Sequence, residues 1–149
     1  MLVLLFAIHD EAFALPAARV SAVLPLVRIA KVPGGPASLA GVINLHGRPV
    51  PVIDLGMVAD SRPCSPLYSS RILLIEAPNL DGMKRPVGLL AERVTDMVSC
   101  PDCRSESFLV DLPRRPDDDD DERHLLVQWL DTDRLVPPAL VSEIDEFLP

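Results

Sequence analysis

The residues of this chain that could do chemistry are few, and the most reactive pair is Cys100-Pro101-Asp102-Cys103. Two thiols with two residues between them can ligate zinc or exchange disulfides. A structural zinc site needs four ligands, and the other candidates, Cys64, His46 and His124, have no companion spacing. A redox pair would open a helix after a strand, which lowers its thiol pKa, and no helical pattern follows Cys103. Two ordinary thiols at the start of a loop are the simpler reading. The run Asp117–Asp121 offers hard oxygen ligands of the kind calcium and magnesium take. It lacks the alternation and central glycine of an EF-hand loop, so it reads as a solvated, self-repelling tract partly neutralised by Arg114, Arg115 and Arg123. No G-x-S-x-G occurs, the histidines have no triad or metal-pair spacing, and Gly34-Gly35 lacks the Lys-Ser/Thr of a phosphate loop. The expectation is a protein with no catalytic residue, cofactor or metal, whose polar runs are turns and rims.

The elements behind those residues are short. Sixteen prolines in 149 residues are about twice the usual share of roughly 5%. They interrupt nearly every window long enough for a helix, which excludes an all-α chain. What survives is a series of β-branched runs between turns, the pattern of a sandwich or barrel. An apolar fraction of 48% is ample for a core. Strands are expected at Leu2–Ile8, Ala12–Leu15, Arg19–Leu24, Arg71–Glu76, Val87–Ala91, Arg93–Val98 and Leu125–Leu130, with Leu26–Val32 extended. Cys100–Glu122 reads as a long irregular excursion. In Leu140–Leu148, Leu140, Val141, Ile144, Phe147 and Leu148 share one helical face.

The formal net charge is −8, and six of the acids lie in Asp117–Glu122, so the remaining body is only mildly acidic. No basic patch appears, which argues against nucleic acid and anionic lipid as partners. Leu2–Ile8 is apolar, but a secretory signal wants a positive start, and His9-Asp10-Glu11 ends the run too soon. A buried strand and a returning one explain the same letters. With no run of the roughly 18 residues a spanning helix needs, the expected location is the cytoplasm.

The richest stretch is Gly41–Leu55, GVINLHGRPVPVIDL. Two β-branched arms flank His46-Gly47-Arg48, a hairpin with a glycine where a tight turn needs φ > 0. Pro49 and Pro51 cannot donate to a ladder, which predicts that the second arm lies at a sheet edge or barrel rim. Asp54 is placed to cap a helical turn over Leu55–Val58.

This hairpin, as GVINL-x-G-x-x-x-PVIDL, resembles the signature of CheW-like domains, the coupling modules of bacterial chemosensory arrays. The resemblance continues through LVLLFAIHDEAFALP at the start, Arg19–Val23, Ile29–Pro36, Pro86–Val98 and a closing strand in Leu125–Leu135. It implies an all-β fold with a C-terminal helix: two five-stranded SH3-like barrels on a shared hydrophobic core, with Phe6, Val42, Ile53, Leu74 and Leu89 in the seam. The expected layout is one domain over 1–149, with a flexible acidic loop at 104–123 and the helix at 138–148. The implied role is a non-catalytic adaptor between the cytoplasmic tip of a chemoreceptor and a CheA-type histidine kinase, with other CheW-like proteins as further partners. By resemblance the receptor groove uses Val20, Val23, Gly41, Asn44, His46, Val94 and Met97. The family commonly has Arg where His46 stands and an acid where Ala22 stands, so a surface charge pair is missing. That departure suggests a specialised member, serving a non-motility, surface-sensing type of system. Two alternatives stay open: a scaffold of the same fold without receptor coupling, and a thiol or zinc protein built on the C-x-x-C.

Overall fold

A computed structural model describes residues 1–67, 69–94, 97–99, 107–111 and 124–148. Among the described residues ten strands form two five-stranded sheets, and the fold is mainly β. In chain order the strands are β1 (Leu2–Ile8), β2 (Glu11–Pro16), β3 (Ala22–Pro25), β4 (Leu39–Leu45), β5 (Arg48–Asp54), β6 (Arg71–Pro78), β7 (Lys84–Ala91), β8 (Met97–Ser99), β9 (Ser107–Asp111) and β10 (His124–Trp129). Three short helices accompany them: α1 (Leu55–Asp60), α2 (Thr132–Leu135) and α3 (Pro138–Asp145).

The first sheet has the order β8-β1-β2-β10-β9 and the second β3-β6-β7-β5-β4. The pairs β2–β10 and β5–β7 are parallel, and the others antiparallel. The second sheet curls on itself: Ala30, in the link after β3, exchanges backbone hydrogen bonds of 2.9 and 2.8 Å with Val42 of β4. This bridge hides the outer edge of β4, as barrel closure does.

Alternation along the strands sorts side chains into three cores. Val3 and Leu5 of β1 point into the first lobe with Ala14 and Val127. Leu4, Phe6 and Ile8 of the same strand point into the seam, where they meet Ile53, Leu73, Ile75, Val87 and Leu89 of the second sheet. Ile43, Val50, Val52, Ile72 and Leu90 fill the second lobe. Strands β1, β5, β6 and β7 are therefore buried on both faces, which is why RILLIE shows no polar alternation. Phe6, Ile53 and Leu89 lie in the seam as expected. Leu74 does not; it packs into the second lobe's interior, because it is one residue out of phase with Leu73. Val42 belongs to neither core, since it sits between β5 and the Ala30 bridge and is half-buried.

Four other expectations are corrected. Arg19–Leu24 is not one strand: Ala17–Arg19 form a 3₁₀ turn and β3 begins at Ala22. Arg93–Val98 is not one strand either, because Arg93 adopts φ +46° and only Met97–Ser99 pairs with β1. After Trp129 the closing strand gives way to α2, whose start is capped by Asp131. The second hairpin arm, β5, is inside its sheet, between β7 and β4. Its prolines are accommodated because the parallel ladder to β7 begins only at Val52 opposite Gly88. Strand β9 falls inside the stretch 104–123, most of which lies outside the described residues. The last helix runs Pro138–Asp145; Val141 and Ile144 are buried in the seam, whereas Phe147 is exposed.

Candidate functional site

Strand β3 and the link after it carry an exposed apolar run on the second lobe. Val23, Leu26 and Val27 are 40%, 39% and 43% exposed. Strand β3 alternates, so Leu24 turns into the lobe while Val23 turns out. Isolated surface hydrophobics need no explanation; three within five residues of one segment form a patch of the kind used for protein contact. Sequence reading singled out Val23 alone. The signal it missed was the unbroken apolar sequence VLPLV, too short and proline-split for a core strand.

The 3₁₀ turn before β3 holds Val20 half-buried against the seam, with its N–H on the Ala17 carbonyl at 3.1 Å. The turn is pinned from the far end of the chain: the Arg19 guanidinium donates to the Thr132 hydroxyl at 2.8 Å. Val94 packs against the same seam core and donates its N–H to the Ser69 carbonyl at 3.0 Å. Val20 and Val94 thus meet a common core, and both have a structural duty there.

Gly41, Asn44 and His46 serve the hairpin. Gly41 has φ +151°, and a Cβ there would strike the Ala30 carbonyl oxygen and lie 2.6 Å from an Ile29 methyl. Only glycine lets the closing bridge approach. The Asn44 side-chain oxygen accepts the Gly47 N–H at 2.8 Å. His46 and Gly47 both have positive φ, +52° and +84°, which makes a two-residue turn of the primed type between Leu45 and Arg48. This places the exposed imidazole at the tip. Met97, 51% exposed, lies on β8 at the edge of the other sheet, opposite Leu4. The candidate residues therefore fall into groups on different elements: Val20 and Val94 at the seam, Asn44 and His46 at the hairpin, Val23 and Met97 on outward faces. Ala22, opposite Leu74, is half-buried.

A polar cluster not anticipated from sequence joins the lobes. Ala7 of β1 and Glu92, just after β7, exchange backbone hydrogen bonds of 2.7 and 2.9 Å. The buried Glu92 carboxylate accepts the Ser65 N–H at 2.7 Å. His9, in the β1–β2 turn with φ +56°, sets Nε2 2.9 Å from Asp60 and Nδ1 3.6 Å from Glu92. Arg62 binds Asp60 in turn, and that hydrogen bond holds the Asp60 carboxyl below its ordinary range. These residues are far apart in sequence, and none has motif spacing.

Asp54 is the cap expected of it. Its carboxylate accepts from Gly56 at 2.9 Å and Met57 at 3.3 Å, and also from the Cys64 N–H at 3.1 Å. Cys64 is buried, its thiol donating toward the Leu90 carbonyl at 3.5 Å. Burial first, then the nearby Asp54 charge, pushes this thiol up to about 12. Burial and the raised pKa disfavour the thiolate that nucleophilic attack or zinc ligation needs. Among the described residues no group of three His, Cys, Asp or Glu side chains converges as cation ligands. Cys100, Cys103 and the tract Asp117–Glu122 lie outside the described residues, and His124 opens β10. No described helix is long and apolar enough to cross a membrane.

Comparison with known proteins identifies the fold and family. The chain is 29% identical over 97 residues to the probable chemotaxis protein CheW of Rhizobium etli, a match over 65% of this chain and 59% of that protein. The aligned part thus spans less than two thirds of that relative. The fold superimposes on the crystal structure of the scaffolding protein TtCheW from Thermoanaerobacter tengcongensis with a TM-score of 0.62, at 23% identity, covering 88% of this chain and 85% of the other. Residues 2–137 match the CheW-like domain model, and the chain belongs to that family.

Proposed function

We propose that this protein is a non-catalytic chemotaxis adaptor that couples the cytoplasmic tip of a chemoreceptor to a CheA-type histidine kinase. The observation that carries the reading is the exposed run Val23, Leu26 and Val27, three apolar side chains within five residues of one segment of the second lobe. Family membership and the likeness to chemotaxis and scaffolding proteins support it. A receptor tip is a helical hairpin, and an amphipathic helix docks by laying apolar anchors along such a patch. By family resemblance Met97, Asn44 and His46 would also contribute, from elements other than the Val23 segment. Its place of action would be the cytoplasm, where receptor tips and kinase meet.

The test is reconstitution: purified receptor fragment and kinase, with and without this protein, followed by kinase autophosphorylation and co-sedimentation. Receptor-dependent kinase control that requires this protein supports the reading. A second reading, a scaffold that binds kinase but no receptor, is favoured by one observation: His46 and Ala22 provide no fixed Arg–Glu pair. Kinase that co-purifies while receptor does not would favour that scaffold.

A further inference from the structure

A cleft of about 400 Å³ opens between the first halves of β5 and β7. Its cause is in the sequence. Antiparallel partners alternate between hydrogen-bonded and non-bonded pairs. Val42 gives its N–H and C=O to Ala30, so its partner Pro51 also faces away from β4, toward β7. Two residues earlier, Pro49 faces the same way. Neither has an N–H to donate, and Pro86 on β7 has none either. The ladder accordingly starts late, at Val52 opposite Gly88, and the strands stay apart before it. Leu148 and Asp145 from the chain's last helical region close one side.

Two guanidiniums, Arg48 and Arg85, line this cleft. Arg85 lies 3.5 Å from Asp145, while Arg48 has no ion pair among the described residues. The cleft therefore offers an acceptor in the Pro49 carbonyl, which precedes the ladder, donors from arginines, and apolar walls from proline rings and Leu148. An extended peptide that brings N–H groups along its backbone and a carboxylate on a side chain matches each of these.

We propose that this cleft is a second docking site, which takes an extended segment of a partner protein with acidic residues alternating with apolar ones. The site is independent of the Val23 patch. The probe is a labelled octapeptide, Leu-Glu-Leu-Asp-Leu-Glu-Leu-Asp, titrated into the full chain by fluorescence anisotropy and by amide chemical-shift mapping. Expected are shifts centred on Arg48, Val50, Arg85 and Leu148. Affinity should fall about tenfold in Arg48→Glu, a reversed exposed charge, and severalfold between about 50 and 500 mM salt. Val23→Asp should leave peptide affinity unchanged, so failure of the receptor reading and failure of this one are separable. Arg48 is exposed, and an unaltered urea midpoint shows that its variant is folded. Three results overturn the proposal: equal affinity for the Gln/Asn version of the peptide, shifts centred on Val23 and Leu26, or self-association in sedimentation that Arg48→Glu removes.

Discussion

Substitution of Val23 gives the sharpest test of the docking surface. Full burial of a valine side chain stabilises by about 2 kcal/mol. In the free protein Val23 is already partly covered, with 40% of its surface exposed. Docking can therefore recover about two fifths of that sum, just under 1 kcal/mol. Val23→Ala should weaken receptor binding by about two- to fivefold, and no more. Val23→Asp adds a carboxylate that the contact must desolvate without a partner, a cost of about 2–3 kcal/mol or above. It should raise Kd by about a hundredfold. The measurement is titration calorimetry of a soluble receptor-tip fragment against wild type and both variants, with thermal unfolding alongside. Val23 lies at the exposed face of β3, so Tm should move by less than about 4 °C. A Kd for Val23→Asp within twofold of wild type, with the fold intact, would show that receptor docks elsewhere.

Other expectations concern the scaffold. Asp54→Ala removes a cap and strands the buried Cys64 N–H, so it should cost about 3 kcal/mol by urea unfolding, whereas Asp131→Ala, an exposed cap, should cost about 1. Gly41→Ala should destabilise by about 3 kcal/mol or prevent barrel closure, because the new methyl meets backbone; amide exchange at Ala30 and Val42 would report the loss. Burial pushes the folded Cys64 thiol up to about 12, from an ordinary value of 9.0. The unfolded chain thus binds fewer protons above pH 9, and stability should fall there at up to about 1.4 kcal/mol per pH unit. Cys64→Ala should lose that component, measured as the difference in urea midpoint between pH 8 and pH 10.5. Native protein should also resist alkylation at Cys64, as read by peptide mass mapping.

Some of this molecule was legible in its sequence because local rules decide it. The hairpin of Gly41–Leu55 followed from Gly47 and its β-branched arms, the α1 cap from Asp54, and the buried β6 from the four consecutive apolar residues Ile72–Ile75. The two-sheet, mainly β fold followed from proline density and from family resemblance. Long-range pairing was less readable. Pro49 and Pro51 suggested an edge strand, yet the ladder could start beyond them. Phase decided the seam: Leu73 and Leu74 look alike in sequence, but one faces each core. At the proposed docking patch, Val23 is named by the family resemblance alone, while Leu26 and Val27 fall in the stretch that reads as extended chain. The His9, Asp60 and Glu92 cluster was invisible, because its members come from three elements and converge only when the lobes pack.

The seam has an engineering consequence. Since Leu4, Phe6, Leu73 and Leu89 complete one another across it, neither half can be excised as a freestanding fragment without baring an oily face. Split-protein reporters cut at the boundary would reassemble only as matched halves. Swapping one lobe with a cousin's would require exchanging the facing residues together.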